Sequence, residues 1–263
     1  MSLYFHGNAP VKFQHQYLVT RDYIIPFIER VFPLKRDTRV LEIGCGEGGV
    51  LLAFSEKGCL CTGMDLSESK IKSGTELLKE QQSINLFVAD IYDRSIMDTY
   101  KARFDLIILK DTIEHIPEQE KIMAHLPYFL APEGMIFFAF PPWRMPFGGH
   151  QQTAVNKKAQ WPWIHLLPKK SYIQYLRKAG ENEATIQSLT EIYDTRISIG
   201  RFERIVRKLR FEVARKRHYL INPIYRYKFR YTPREQFKLI TFIPWFRDFV
   251  TTTVYYLLKP ERK

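Results

Sequence analysis

A glycine-rich turn follows a short apolar run near the start of the chain. Gly44, Gly46 and Gly48 alternate with other residues after Val-Leu-Glu-Ile, and glycine lets a backbone turn sharply and approach a ligand that a Cβ would exclude. Dinucleotide-binding folds use a similar turn, so the glycines alone are a weak signal. Glu42 makes the signal more specific, because a carboxylate in the preceding apolar run can face the ammonium group of an amino-acid-like cofactor, directly or through water.

Two further carboxylates follow the next two predicted strands. Asp65 precedes Leu66 and comes about 20 residues after the glycine turn, where an acidic residue can accept hydrogen bonds from both ribose hydroxyls. Asp90 precedes Ile91, where its carboxylate can accept a hydrogen bond from an adenine amino group beside an apolar contact. Three carboxylates at three successive strand ends are more specific than the glycines. The alternative is that Asp65 and Asp90 are ordinary turn or cap residues.

These carboxylates can meet only if a sheet brings the strand ends together. Strands are predicted at 38–43, 59–64, 84–89, 104–109 and 134–140, with helices at 17–31, 48–57, about 67–81 and after Pro117. Five alternations of strand and helix predict parallel pairing, right-handed crossovers and helices on both faces of the sheet. Ligands of such sheets bind beyond the carboxyl ends of the strands.

Four motifs together resemble those of class I S-adenosylmethionine-dependent methyltransferases. They are Leu-Glu-Ile-Gly-Cys-Gly-Glu-Gly at 41–48, Asp-Leu-Ser at 65–67, Ala-Asp at 89–90, and Phe-Asp-Leu-Ile at 104–107 followed by Glu-His-Ile at 114–116. The resemblance covers about residues 38–140. It implies a Rossmann-like α/β fold with a seven-stranded, mostly parallel sheet, and S-adenosylmethionine as the cofactor.

The resemblance also implies where the cofactor binds. By position, the methionine part is expected at Glu42, Gly44, Cys45 and Gly46, the ribose at Asp65 and Leu66, and the adenine at Asp90 and Ile91, with Lys110 completing the site. The segment from Lys110 to His115 is similar to that of family members acting on small molecules and lipid-like substrates. An Asn-Pro-Pro-Tyr-type motif is absent after the fourth predicted strand, which argues against methylation of DNA bases.

His115 and His150 are the candidates for a catalytic base. A sulfonium methyl group is already activated, so the protein must align a nucleophile and, for a hydroxyl, remove its proton. The two histidines follow the fourth and fifth predicted strands, and neutral imidazole titrates near neutral pH, which favours them over Asp111. The alternatives are structural: His115 caps a helix or packs against the cofactor loop, and His150 hydrogen-bonds within a lid loop.

The whole chain, 1–263, is predicted to be one methyltransferase domain. Residues 1–37 form an N-terminal helical flank, and residues 142–197, with several prolines and tryptophans and a helix at 169–179, form a cap inserted after the fifth strand as a substrate region. Residues 198–263 supply the last helix and an antiparallel pair of strands at 211–221 and 250–258.

Charge divides the chain unevenly. Of the net charge of +12, residues 1–140 contribute −4 and residues 141–263 contribute +16, which indicates an acidic or lipid-surface partner for the second half. Aromatic and basic residues alternate over 225–231, a pattern that suits phosphate contact with base stacking and equally an anionic membrane surface. A basic helix near 201–208 is most often only a solvated face.

The favoured function is methyl transfer to a small-molecule acceptor. Among acceptors, a lipid-linked molecule or a phosphorylated or saccharide molecule is the first choice. An RNA methyltransferase using the basic half is the first alternative, and a non-catalytic methyltransferase-like binding module is the second. A nicotinamide-dependent oxidoreductase is disfavoured, because the usual Gly-x-Gly-x-x-Gly spacing and an obvious catalytic pair are missing.

Metal, disulfide and membrane signals are weak. The chain has an odd number of cysteines, Cys45, Cys59 and Cys61, so a disulfide framework is not expected. Cys59 and Cys61 form a single Cys-x-Cys pair with no second pair of metal-ligating residues, so a zinc site is not expected. No apolar stretch reaches about 18 residues and no secretory signal is recognisable at the start. Cytoplasmic residence is expected, with peripheral attachment to a membrane as its alternative.

Overall fold

The computed structural model describes residues 10–261 and is built on one eight-stranded sheet. The strands are β1 (Arg39–Ile43), β2 (Leu60–Asp65), β3 (Ile84–Val88), β4 (Phe104–Lys110), β5 (Leu130–Phe140), β6 (Phe211–Ile221), β7 (Arg234–Glu235) and β8 (Thr253–Pro260). Their order is β3-β2-β1-β4-β5-β8-β6-β7, with parallel pairing from β3 to β5 and antiparallel pairing beyond β5. This confirms the predicted Rossmann-like α/β class.

The strand count differs from the seven expected. The additional strand, β7, contains only two residues at the edge of the sheet, where it pairs with the end of β6. Two residues are too few for a period-two pattern to appear in a sequence. The prediction of an antiparallel end is confirmed, although β8 begins at Thr253 rather than at Val250, because a short helix occupies the preceding residues.

The described residues contain twelve α-helical segments. They are α1 (Val11–Val19), α2 (Ile25–Ile28), α3 (Gly49–Ser55), α4 (Glu68–Leu77), α5 (Arg94–Tyr100), α6 (Gln119–His125), α7 (Lys169–Lys178), α8 (Glu183–Thr195), α9 (Ile199–Lys208), α10 (Tyr225–Phe229), α11 (Lys238–Thr241) and α12 (Phe246–Val250). A π-helical turn, Thr20–Ile24, joins α1 to α2. Pro26 has no N–H to donate, and the amide of Ile25 bonds the carbonyl of Thr20, five residues earlier.

The N-terminal helix is shorter than predicted. It ends at Ile28, and Val31, expected on its buried face, is exposed in the turn that follows. The helices α3 and α4 also end before the predicted 57 and 81.

The sheet is covered by apolar side chains on both faces. Along β4, Ile107 and Leu109 belong to the cluster that includes α6 and α9, whereas Leu106 and Ile108 belong to the opposite cluster beneath α1, α2 and α3. A strand buried on both faces reads as a continuous apolar run, as β4 does. The sheet therefore places its carboxyl ends at one rim, where the loops after β1 to β4 converge.

The segment between β5 and α9 has an apolar cluster of its own. Trp143, Tyr172 and Tyr193 pack there with side chains of α7 and α8. Helix α7 lies where the sequence predicts it, while α8 was not predicted. None of the helices in residues 10–261 is long and apolar enough to cross a bilayer.

Replacing Phe202 of α9 with alanine is expected to destabilise the fold by about 3–5 kcal/mol. Phe202 is fully buried, and its ring centroid lies 5.1 Å from that of Phe138 and 4.9 Å from those of Phe140 and Tyr256. Phe242, which is 80% exposed, is the matched control, and Phe242→Ala should stay within about 0.5 kcal/mol of the parent chain. Urea unfolding followed by circular dichroism measures both, and equal losses would contradict this packing.

Candidate active site

A cavity of about 590 Å³ opens at the carboxyl ends of β1, β2, β3 and β4. Eight residues predicted for the site line it: Gly44, Gly46, Asp65, Leu66, Asp90, Ile91, Lys110 and His115. The loops that follow four different strands therefore contribute to one concave surface, as expected for a doubly wound sheet.

The glycine loop is held against the end of β2. The amides of Gly44 and Cys45 both donate to the carbonyl of Met64, at 2.8 and 3.1 Å, and Gly44, Gly46 and Gly48 all have positive φ. A Cβ on Gly44 would lie 2.7 Å from the Thr112 side chain, so the loop also packs against the turn after β4. At Gly46 a Cβ would meet no atom closer than 3.9 Å, that of Lys70, another cavity residue.

The two predicted carboxylates lie on the cavity wall, where they also stabilise turns. Asp65 accepts hydrogen bonds from the amides of Gly46 and Ser67, both at 2.9 Å, one to each oxygen. Asp90 accepts one from the amide of Tyr92 at 2.9 Å. Each carboxylate oxygen has two lone pairs, so both groups keep capacity to accept from a ligand. The positions of Asp65 and Asp90 are therefore compatible both with binding a ligand and with stabilising the turns.

Glu42 and Cys45 do not line the cavity. Both are buried under the glycine loop, and Glu42 Oε2 has no hydrogen-bond partner in the described residues. Burial raises the pKa of the Glu42 carboxyl well above its ordinary value, and Lys110 opposes this only in part. The Cys45 thiol contacts the Gly46 carbonyl at 3.7 Å, and its position gives no support to a side-chain contact with a cofactor.

Lys110 and Asp111 form an ion pair on the cavity wall. The ammonium of Lys110 is buried and lies 2.5 Å from Asp111 Oδ2. Burial raises the pKa of the Asp111 carboxyl, but the ion pair and hydrogen bond to Lys110 outweigh it, so that this pKa is lower than usual. Lys110 thus has a carboxylate partner of its own before any cofactor binds.

The two candidate histidines are neighbours, although 35 positions separate them in sequence. The ring centroids of His115 and His150 are 5.2 Å apart, and His150 Nε2 lies 4.0 Å from Glu114 Oε1. His115 follows β4 in the short 3-10 helix Ile113–His115, while His150 precedes the 3-10 helix Gln151–Thr153 with φ +57°. Glu114 was not predicted as a site residue, although it stands in the Glu-His-Ile motif at 114–116 that contributes to the family resemblance.

Both imidazoles are neutral at pH 7. Burial lowers the pKa of His115, and burial together with His115 lowers the pKa of His150 to about 4. A neutral ring offers a nitrogen lone pair, but a pKa near 4 makes His150 a weak proton acceptor. The role of either histidine as a base stays a prediction.

The glycine loop, the acidic strand ends and the antiparallel end of the sheet together define a class I methyltransferase fold. Residues 13–182 match a family model described as "Methyltransferase domain". The chain belongs to this methyltransferase family, and the resemblance predicted from the motifs is confirmed.

Among curated proteins, the chain is similar to enzymes named ubiquinone biosynthesis O-methyltransferase. That of Coxiella burnetii is 30% identical over 156 residues, which cover 58% of this chain and 63% of the relative. That of Idiomarina loihiensis is 31% identical over 102 residues, covering 38% and 41%. The chain thus spans less than two thirds of the length of these relatives.

Solved structures share the fold at low sequence identity. A putative sarcosine dimethylglycine methyltransferase from Galdieria sulphuraria has a TM-score of 0.59 at 14% identity, over 92% of this chain and 85% of that one. A geranyl diphosphate methyltransferase in complex with SAM has a TM-score of 0.55 at 14% identity, over 89% and 83%. These similarities confirm the fold.

Replacing Gly46 with alanine should weaken binding of S-adenosylhomocysteine at least about tenfold, or about 1.4 kcal/mol, because the new methyl group would project into the cavity. Gly58 is the matched control, since its φ is +85° and it lies beside Arg36, outside the cavity. Both variants should lose similar stability, about 1–2 kcal/mol from the left-handed backbone. Calorimetry measures the affinity of each variant for S-adenosylhomocysteine. If Gly46→Ala and Gly58→Ala both bind it as tightly as the parent chain does, the glycine loop does not hold the ligand.

Proposed function

We propose that this chain transfers the methyl group of S-adenosylmethionine to a small-molecule acceptor. One observation carries the proposal: a single cavity joins the glycine loop, Asp65 and Asp90 to the turn after β4 that bears Asp111 and His115. Membership of a methyltransferase family supports it, as does the structural relative whose complex contains SAM.

The residues present fit this cofactor. Glu42 Oε2 is buried behind the glycine loop without a hydrogen-bond partner in the described residues, so its contact with an ammonium group would run through a bridging water. The open side of Gly46 leaves room for a chain that a Cβ would obstruct. Asp65 is oriented by two backbone amides and can accept from ribose hydroxyls, while Asp90 and buried Ile91 suit an adenine. Bound there, S-adenosylmethionine supplies an activated methyl group.

The protein then has to place a nucleophile in line with that methyl group. Aligning two reactants contributes a large part of the rate enhancement in such reactions. The cluster of Glu114, His115 and His150 lies beside the cavity on the β4 and β5 side and would orient an acceptor hydroxyl. The name of the curated relatives, O-methyltransferase, favours oxygen as the acceptor atom.

An assay with labelled S-adenosylmethionine on cell extract separated into lipids, small molecules, RNA and protein tests the proposal. Label is expected in the lipid or small-molecule fraction. Label in RNA would establish the alternative target. Binding of S-adenosylhomocysteine with label in no fraction would indicate a non-catalytic module, and binding of a nicotinamide cofactor instead would point to an oxidoreductase.

Replacing His150 with alanine should lower turnover of the identified acceptor at least about tenfold and leave the affinity for S-adenosylhomocysteine within about twofold, since positioned side chains typically contribute 10²–10⁴ to such steps. The control is Gln152→Ala, which truncates an exposed side chain in the same 3-10 helix. Unchanged turnover of His150→Ala would remove it from the reaction.

We further propose that the acceptor is lipid-like and that the chain meets it at an anionic membrane surface. An aromatic arm, defined as residues 229–246 between β6 and β8, exposes Phe229, Tyr231, Phe237, Leu239, Phe242, Ile243, Trp245 and Phe246. Monomeric soluble proteins rarely expose so many large apolar residues together. Arg230, Arg234 and Lys238 add positive charge to the same arm, and basic residues beside exposed aromatics suit anionic headgroups.

The arm is continuous with two other features. The ring centroid of Trp245 lies 6.0 Å from the guanidinium of Arg144, and the carbonyl of Arg144 accepts a hydrogen bond from the indole of exposed Trp163. Both tryptophans therefore contact Arg144. Ring contacts also lead from Tyr231 through Phe229 to Tyr225 of α10. Burial and the charge of Asp111, a residue of the cavity wall, raise the pKa of Tyr225.

Lipid is favoured over RNA because of the aliphatic members of the arm. Bases stack on aromatic rings and guanidinium planes, whereas Leu239, which is 83% exposed, and Ile243 offer no surface for stacking. A lipid surface accepts both kinds of side chain.

Leu239→Ala should lower partitioning onto vesicles of neutral and anionic phosphatidyl lipids about tenfold, since burying a leucine side chain contributes about 1.5–3 kcal/mol. Leu60→Ala is the matched control, because Leu60 is 46% exposed at the start of β2, away from the cavity rim. Vesicle sedimentation measures both. Absent vesicle binding, combined with RNA binding that falls steeply with salt, would favour the RNA alternative.

A further inference from the structure

A second cavity, of about 290 Å³, opens at the amino ends of β1, β2 and β4. The residues of this amino-end cavity are Arg39, Leu60, Thr62, Thr99, Tyr100, Arg103 and Phe104. None of them lines the cavity at the carboxyl ends of the strands. Phe104 and Lys110 are the two ends of β4, and six steps along an extended strand span about 20 Å. The two cavities are therefore separate sites.

The floor of the amino-end cavity is the start of β2, where α5 leaves the sheet uncovered. Leu60 and Thr62 lie on the same face as Met64, whose apolar cluster the side chains of α5 join. Helix α5 is only seven residues long and ends at Tyr100. Both faces of a parallel sheet are normally covered, yet Leu60 is 46% exposed. A ligand in this cavity would cover apolar area that otherwise contacts water.

The aromatic wall of the amino-end cavity is already in place. The ring of Tyr100 stacks with those of Phe87 and Phe104, with centroids 5.7 and 5.5 Å away. Phe104 is buried at the start of β4, so the sheet fixes the position of the stack. Binding against a preformed wall costs less conformational entropy than binding that must first order the side chains.

Arg39 is a fixed donor at the edge of the amino-end cavity. Its Nε and Nη2 donate to the Asp105 carboxylate at 3.0 and 2.7 Å, and its backbone amide donates to the same carboxylate at 2.8 Å. A guanidinium has five N–H donors, so three remain available to a ligand. The ion pair therefore orients Arg39 without using up its hydrogen-bonding capacity.

Arg103 adds a positive charge that the protein does not balance. It is exposed and forms no ion pair within residues 10–261. The amino-end cavity thus has two guanidiniums, Arg39 and Arg103, against the single carboxylate of Asp105. The excess of one positive charge matches a ligand with one negative charge. Guanidinium groups recognise carboxylates in particular, because their planar forks of donors fit the two oxygens.

We propose that the amino-end cavity binds a small organic carboxylate with an apolar ring or chain. The exposed Leu60 and the stacked Tyr100 suit the apolar part, while Arg39 and Arg103 suit the acid group. Pockets for small molecules typically begin at about 300 Å³, so a cavity of about 290 Å³ suits a compact ligand rather than a polymer. An inorganic phosphate would leave the apolar floor uncovered. The inference does not depend on the methyl transfer proposed above.

Fluorine NMR of the full chain with 4-fluorobenzoate tests the charge and the shape of the ligand. One equivalent of 4-fluorobenzoate is expected to bind. The neutral isostere 4-fluorobenzamide should bind at least about tenfold more weakly, because hydrogen bonds between two charged groups are roughly twice as strong as neutral ones. Inorganic phosphate, added as a competitor, should displace 4-fluorobenzoate only at a concentration at least about tenfold higher than 4-fluorobenzoate itself requires. Saturating S-adenosylhomocysteine should leave the binding unchanged, since it belongs to the other end of the sheet.

Two pairs of variants assign the binding to the amino-end cavity. Thr99→Trp fills the cavity, and its control, Ser95→Trp, places the same ring one turn earlier on α5 at an exposed residue outside the cavity. Arg103→Gln removes the unbalanced charge, and its control is Arg94→Gln at the opposite end of α5. Thr99→Trp and Arg103→Gln should each weaken binding of 4-fluorobenzoate at least about tenfold, and the two controls should stay within about twofold of the parent chain.

The possible outcomes separate the amino-end cavity from other sites. Parent affinity in Thr99→Trp would place the ligand elsewhere and overturn the inference, as would displacement by S-adenosylhomocysteine. Equal binding of 4-fluorobenzoate and 4-fluorobenzamide, or stronger binding of phosphate, would overturn the assignment of a carboxylate. Thermal melting followed by circular dichroism shows whether each variant is folded, so that a loss of binding is read only from folded chains.

Discussion

The attachment of the glycine loop to the end of β2 is the constraint on which the site depends. One carbonyl, that of Met64, accepts from two loop amides, and the next residue, Asp65, accepts from the amide of Gly46. These bonds require the chain to turn sharply twice within three residues, which only glycines at Gly44 and Gly46 allow without strain. The same bonds orient the Asp65 carboxylate. The same few hydrogen bonds therefore fix both the shape of the glycine loop and the orientation of the carboxylate that faces the cavity.

A second constraint is the amount of charge buried behind that loop. Glu42, Lys110 and Glu114 are all nearly inaccessible, and within residues 10–261 Asp111 is the one carboxylate within 4 Å of the Lys110 ammonium. Burial raises the pKa values of Glu42 and Glu114 well above the ordinary range. The anionic form of each carboxyl is therefore unfavourable unless a cation lies beside it. A fold retains such groups at a stability cost when a ligand compensates them. Glu42 Oε2 and both carboxylate oxygens of Glu114 have no hydrogen-bond partner in the described residues.

The parallel half of the molecule could be predicted from sequence, because its strands are buried on both faces and its turns carry functional residues. The apolar run of β4 and the positions of Asp65 and Asp90 followed directly from that pattern. Beyond β5 the signals weaken. The strand β7 is too short for a period, α12 replaces the predicted start of β8, and α8 was not predicted between β5 and α9. The sequence also did not join Glu114 to His150, since their meeting depends on the loops after two adjacent strands.

The basic second half of the chain shows why net charge alone is poor evidence for a partner. Lys208 is paired with Glu120, Arg247 with Glu203, and Arg217 with Glu235, while Tyr227 of α10 donates to Asp22 in the N-terminal helical segment. Part of the positive charge therefore lies in ion pairs that stabilise the antiparallel end of the sheet. The aromatic arm is different, because its large apolar side chains stay exposed in the described residues, up to 83% for Leu239. Exposing this apolar area to water is unfavourable. The exposed apolar area, rather than the net charge, is therefore the argument that the arm binds another surface.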